Sequence, residues 1–272
     1  AYGDHDIIAC VDIVTNFDFA PRDHLGLTVH NRHLVALHQP CDPLAQRLND
    51  LLLAGHNSRQ IDRDALTFNA IGFAMLEQLN AALDQAESAG KVVIIAGRTG
   101  KFSAGFDLSV MGKGGEDMLR LLKGGAGLSQ RLLKFPTPVV LAVTGHALAM
   151  GGLFLLSADY RIGTEGEFKL GLNEVAIGMT LPYFGVELAR ARLDPAHFEL
   201  SVSCAYLYDA VGAVEAGYLD ESVGLDQIVN RAKAVATQLS RLDMAAHKAT
   251  KDRVREPLNR LLDEAISREL NA

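Results

Sequence analysis

Apolar residues recur at three- and four-residue spacing through Met75, Leu76, Leu79, Leu83 and Ala86. That spacing predicts an amphipathic helix over residues 74–89, stopped by Gly90. The next segment, KVVIIAG (91–97), is apolar without alternation and predicts a strand covered on both faces. A helical pattern returns in EDMLRLLKGGAGLSQRLLKF (116–135), where Gly124 and Gly125 are expected to weaken or kink it. Pro136 and Pro138 punctuate the chain. PVVLAVTG (138–145) then predicts a second buried strand and ADYRIG (158–163) a third. Strands separated by long helical crossovers pair in parallel, so the pattern predicts a layered α/β core.

The texture divides the chain into three zones. Residues 1–68 are irregular and carry six of the nine His and three of the eight Pro. Residues 69–193 hold the alternating strands and helices. Residues 194–272 read as helical almost throughout, with Asp226 as N-cap of a helix to about Leu242 and a further helix from about Met244 to the end, interrupted at Pro257. Leu258, Leu261, Leu262, Ala265 and Ile266 form one stripe of that last helix, which must cover its own core or a neighbouring subunit.

Composition narrows the function. The 272 residues are 49% hydrophobic and 22% charged, enough for a large core, and the net charge of -7 argues against bulk nucleic-acid binding. Cys10, Cys41 and Cys204 have no CxxC spacing, so isolated thiols are expected, with neither a disulfide framework nor a metal site. The longest apolar stretch, residues 139–158, is broken by Gly145, His146, Gly151 and Gly152, so no membrane span is expected. AYGDHD is not a basic signal segment and ELNA is not a peroxisomal address, so the expected location is cytoplasmic.

Two buried strands each run into a small-residue loop, RTGKFSAGFDL (98–108) and TGHALAMGG (144–152). Ligands of α/β sheets bind beyond the carboxyl ends of the strands, and small residues let a ligand approach backbone N–H groups. Other motifs fail on spacing. RTGKFS is not a phosphate loop, because Ile95 stands where its first glycine belongs and Phe102 follows Lys101. Lys101 likewise displaces the first glycine of G-x-S-x-G, so Ser103 is not a convincing nucleophile. No G-x-G-x-x-G follows a strand. His146 has no obvious carboxylate partner and reads as a packed loop residue.

The segments GHALAMGGLFLLSADYRIG and FKLGLNEVAIGMTLPYFGVELARARL resemble the crotonase (enoyl-CoA hydratase/isomerase) superfamily, and KFSAGFDL resembles that family's first CoA-binding loop. The resemblance covers about residues 69–272. It implies an α/β fold, a spiral of ββα units with a helical C-terminal region used in assembly, and a homotrimer or dimer of trimers. The implied substrate is an acyl-CoA thioester, with no separate cofactor. The implied oxyanion hole is formed by the N–H groups of Phe106 and Met150, with Ala104, Gly105, Asp107, Leu108, Gly151 and Leu153 lining the substrate. Two donors fixed on the thioester oxygen stabilise the enolate that forms when the α-carbon loses a proton.

Hydratases of this family carry two glutamates. The first position corresponds here to Leu153 and the second to Glu174 in LGLNEVAIG. Leu153 cannot exchange a proton, whereas a 1,3-proton shift needs only one base. The mitochondrial Δ3,Δ2-enoyl-CoA isomerases resemble this chain in having both the leucine and the GLNE segment. Glu174 is therefore expected to be the proton shuttle of an isomerase, its pKa raised by apolar Val175, Ala176 and Ile177. A hydratase using another group, or a non-catalytic acyl-CoA-binding protein, stand as alternatives. Asp107 reads as structural or adenine-side, Asp159 as ordering the loop before YRIG, Glu165 and Glu167 as turn residues, and Lys248 and Lys251 as a solvated face or CoA-phosphate contacts.

The N-terminal zone departs from the family. GLTVHNRHLVALHQP (26–40) is the candidate first hairpin and Asn69–Ala70 the candidate helix start. Residues 41–68 between them fit no family element: an insertion, a helix over the core, or a fused upstream segment.

Overall fold

A computed structural model describes Ala9–Asp12, Arg59–Gln60 and residues 69–270. The candidate hairpin at 26–40 and most of 41–68 lie outside the described residues.

The first two strands, β1 (Ala9–Asp12) and β2 (Arg59–Gln60), precede helix α1 (Phe73–Ser88). Three repeats of strand, strand, helix follow. The first is β3 (Val93–Ala96), β4 (Gly100–Ser103), the short α2 (Leu108–Met111) and α3 (Gly115–Lys134). The second is β5 (Val139–Val143), β6 (Gly145–Leu148) and α4 (Met150–Ser157). The third is β7 (Tyr160–Thr164), β8 (Leu170–Gly171), a 3-10 turn (Val175–Ile177) and α5 (Tyr183–Arg192). The chain closes with α6 (Pro195–Val202), α7 (Ala210–Glu215), β9 (Glu221–Val223), α8 (Ile228–Leu239) and α9 (Met244–Leu270).

Within each repeat the first strand joins a six-stranded sheet, order β2-β1-β3-β5-β7-β9, and the second joins a three-stranded sheet, order β4-β6-β8. Every pairing between these strands is parallel among the described residues. This is the expected spiral of ββα units. One expectation is corrected: the centres of the two small-residue loops are themselves strands, β4 and β6, paired to each other. Gly145 lies so close to Gly100 that a β-carbon on it would sit 2.0 Å from the Gly100 carbonyl carbon, so only glycine lets these strands approach.

Alternation in the central strands divides the core. Val93, Ile95, Val139, Leu141 and Val143 face the cluster under α1, α3, α4 and α9, while Ile94, Ala96, Val140, Ala142 and Ile162 face α8 through Ile228, Val229, Ala232 and Val235. Both faces are covered, which is why these strands read as continuous apolar runs.

Three helix expectations are also corrected. Helix α3 runs unbroken through Gly124 and Gly125, because those glycines make room for neighbours: a β-carbon on Gly124 would lie 2.6 Å from Leu76 Cδ1, and one on Gly125 2.4 Å from Phe106 Cζ. Helix α8 starts behind Gln227, not Asp226, and ends at Leu239. Helix α9 is continuous through Pro257. The C-terminal zone is helical almost throughout, as expected, with the short β9 extending the large sheet beside β7.

Helix α9 covers its own chain's core. Arg255 Nη1 donates to Leu133 O, Gln130 Nε2 to Asp263 Oδ1, and Tyr183 N to Glu269 Oε2. Its anchor is the partly buried Asp159, which pairs with Lys251 Nζ at 2.6 Å and Arg255 Nη2 at 2.8 Å and accepts from Val139 N. Lys251 is thus a buried structural cation and not a solvated or phosphate-facing residue, while Lys248 pairs with Asp252 along the helix. Cys204 is free and exposed. Among the described residues no helix is long and apolar enough to cross a membrane.

Candidate active site

The site grows from the small sheet. The loop after β4 is stitched by Asn69, wholly buried in a positive-φ conformation (54°), whose Nδ2 donates to Lys101 O and Phe102 O. Ser103 Oγ donates to Asn69 O and accepts from Gly105 N. Its hydroxyl is committed to the loop, in keeping with its rejection as a nucleophile. Asn69 is a positioning residue that the sequence suggested only as a helix start.

Phe106 then forms an isolated parallel bridge with Ile71. In that bridge Ile71 N donates to Gly105 O and Asp107 N donates to Ile71 O. The residues on either side of Phe106 make both bonds, so the Phe106 N–H points away from Ile71. Asp107 caps α2 by accepting from Ser109 N at 2.9 Å. Leu108, the first residue of α2, is exposed, as is Ala104.

The second loop meets the first at Gly105. A β-carbon there would lie 2.7 Å from Ala149 Cβ and 3.3 Å from Met150 N, and Gly105 itself sits at φ 91°. Ala149, the N-cap of α4, is a non-glycine residue at φ 51°. Such a conformation costs about 1–3 kcal/mol and clusters at functional sites. It turns the chain so that Met150 opens the helix, its N–H unpaired within the helix as at every helix start. Gly151 packs on Ser103, where a β-carbon would meet Ser103 O at 2.6 Å. The side chains of Phe106 and Met150 converge over Gly125 of α3. Both N–H groups named from the sequence therefore border one junction, and the positive end of α4 faces it.

Glu174 is delivered by β8. Ala149 N donates to Gly171 O, which holds the end of β8 against the start of α4 three residues before Glu174. Glu174 is only 7% exposed, and its Oε2 has no hydrogen-bond partner among the described residues. Burial pushes its carboxyl from 4.5 up to about 7, a bond from its own backbone opposing the shift. The expected cause is corrected: Val175 and Ile177 are themselves exposed, so the apolar surroundings come from elsewhere in the fold. Leu153, fully buried on α4, packs at Gly185 of α5 beside Leu181. His146 lies on β6, accepts from Lys169 N and meets Phe168 edge-on, a packed residue as read from the sequence.

Comparison with known proteins identifies the family. Residues 60–272 match the family model described as enoyl-CoA hydratase/isomerase, and the chain belongs to that family. It is an enzyme of the enoyl-CoA hydratase/isomerase class. A probable enoyl-CoA hydratase of Bacillus subtilis is 32% identical over 182 residues, covering 63% of this chain and 68% of the relative. Enoyl-CoA delta isomerase 1, mitochondrial, of Mus musculus is 26% identical over 193 residues, covering 69% and 67%. The crystal structure of an enoyl-CoA hydratase/isomerase family protein from Pseudomonas syringae superposes with TM-score 0.75 at 45% identity, covering 76% of this chain and 90% of that one.

Proposed function

We propose that the chain shifts the double bond of an enoyl-CoA from the Δ3 to the Δ2 position, with Glu174 as its single proton carrier. The observation that carries this reading is a buried Glu174, whose Oε2 has no hydrogen-bond partner among the described residues, together with a fully buried leucine, Leu153, at the family's other acid position. Glu174 removes a proton from the carbon between the carbonyl and the double bond. Electrons move onto the thioester oxygen, held by the N–H groups of Phe106 and Met150. The same carboxyl then returns the proton two carbons further along. A carboxyl near 7 releases and regains a proton with little driving force either way, as a shuttle requires. One fixed N–H donor contributes about 3–4 kcal/mol to such a step.

Hydration of a 2-enoyl-CoA is the second reading, and the name of the Bacillus relative favours it. It requires another group to activate water in place of Leu153. The trimeric assembly implied by the family resemblance belongs to the same proposal, and sedimentation of the purified protein tests it.

The decisive variant is Glu174→Gln. Turnover of 3-enoyl-CoA is expected to fall by at least about a thousandfold while acyl-CoA affinity changes less than about threefold. Retained turnover would remove Glu174 from the mechanism. Tight acyl-CoA binding by the wild type with no turnover of either enoyl ester would instead mark a non-catalytic binding protein.

A further inference from the structure

A basic groove lies at the opposite end of helix α4 from the oxyanion junction. His247, Lys251 and Arg255 recur every fourth residue, so α9 presents them in one row. They border a cavity of about 460 Å³ together with Asp159, Arg192 at the end of α5 and Asp243 just before α9. A volume of that size accommodates a small organic molecule. The groove adjoins Ala158, the C-cap of α4, whose carbonyl accepts from Arg192 Nη2 at 2.9 Å and from Arg255 Nη2 at 3.3 Å. Met150 N opens the other end of that helix, about 12 Å away along its axis, so the groove is separate from the thioester-oxygen site.

Charge does not balance in the groove. Arg192, Lys251 and Arg255 each bring a positive charge. Asp159 answers with one negative charge, paired to Lys251 and Arg255, and the carbonyl end of α4 adds about half of another. Arg161 and Asp220 neutralise each other in a separate pair at 2.8 Å. Asp243 is exposed and accepts from Ala246 N at the start of α9. No carboxylate among the described residues pairs with Arg192, and its buried Nε has no hydrogen-bond partner among them. His247 Nε2 is a second buried nitrogen without such a partner, on a residue lining the same cavity. Burial first, then the charges of Arg161 and Arg255, hold the Arg192 guanidinium down to about 10, with Asp220 and Asp159 opposing. A cation short of counter-charge and two unpaired nitrogens around one cavity are the groups that a bound anion completes.

The rim is apolar. Leu242 and Val254 line the cavity and are 47% and 72% exposed. We propose that the groove binds an aliphatic carboxylate: Arg192 Nε and His247 Nε2 donate to its oxygens, and its chain lies against Leu242 and Val254. Arginine suits this head group, because its planar fork of donors matches a carboxylate. The groove does not involve Glu174, so the inference stands apart from the double-bond shift.

Isothermal titration calorimetry at fixed ionic strength tests it, with octanoate, acetate and inorganic phosphate as probes. Octanoate is expected to bind at least about tenfold more tightly than acetate or phosphate, because its methylenes leave water. Arg192→Met is expected to weaken octanoate binding at least about tenfold, as loss of a charged donor does. Val254→Asp sets a negative charge on the exposed rim and is expected to do the same, and it carries the test if Arg192→Met does not fold. Saturating butanoyl-CoA, which has no double bond to shift, is expected to leave octanoate affinity unchanged. Octanoate bound no more tightly than acetate or phosphate overturns the proposal. An affinity that a folded Arg192→Met or Val254→Asp leaves unmoved overturns it too. Displacement of octanoate by butanoyl-CoA also overturns it, since the carboxylate then sits in the acyl-CoA site.

Discussion

Gly105 touches the start of helix α4 so closely that a β-carbon on it would lie 3.3 Å from Met150 N and 2.7 Å from Ala149 Cβ. The two small-residue segments are thus one surface, and its geometry depends on a residue without a side chain.

Gly105→Ala must therefore do two things at once. It strains a backbone held at φ 91°, and it separates the Phe106 and Met150 N–H groups. Stability is expected to fall by about 1–3 kcal/mol. The kcat is expected to fall about a hundredfold, with acyl-CoA affinity changing much less, because a misplaced donor acts on the transition state. Steady-state kinetics with a parallel denaturant melt read both effects. A kcat within about twofold of wild type would mean that the junction is not the oxyanion site.

Glu174 links pH to stability. Its carboxyl holds a proton in the folded chain up to about 7 but releases it near 4.5 when unfolded. Between those values the folded state binds more protons, so this group's contribution is full below about 4.5 and is lost as pH rises through 7. Glutamine at this position does not titrate. Relative to the wild type, Glu174→Gln is expected to gain about 2–3 kcal/mol at pH 8 compared with pH 4. Melts of both proteins at the two pH values measure it, and a pH-independent difference would mean that the carboxyl is not buried.

Asp159 anchors the last helix. Asparagine there would leave Lys251 and Arg255 buried without their counter-charge, for a loss of about 3–5 kcal/mol. Urea denaturation of Asp159→Asn is the check. A loss below about 1 kcal/mol would show that the pair is solvated.

Much of the core was legible because both faces of the large sheet are covered, which makes the runs at 91–97 and 138–145 apolar without alternation. Parallel pairing followed from the length of the crossovers. The errors have local causes. Gly124 and Gly125 lower helix propensity, but their neighbours in space, Leu76 and Phe106, lie far away in sequence, so their packing role left no local trace. Lys251 looks like any surface lysine until Asp159, 92 residues upstream, is brought to it. In the site, Phe106, Met150, Leu153 and Glu174 were named from the family resemblance, and none of them was derived from periodicity. The burial of Glu174 was expected from its exposed neighbours Val175 and Ile177 and arises from the fold instead. Asn69 acts through Lys101 and Phe102, about 30 positions away, and no spacing rule points to it.

The central claim is that one carboxyl serves a proton shift where hydration would need two. The most direct measurement compares, for one purified protein at one pH, the kcat/KM for isomerising a 3-enoyl-CoA with that for hydrating a 2-enoyl-CoA of the same chain length. With Leu153 buried at the first acid position, isomerisation is expected to exceed hydration by at least about a hundredfold. Hydration equal to or faster than isomerisation would contradict the assignment of Glu174 as a lone proton shuttle.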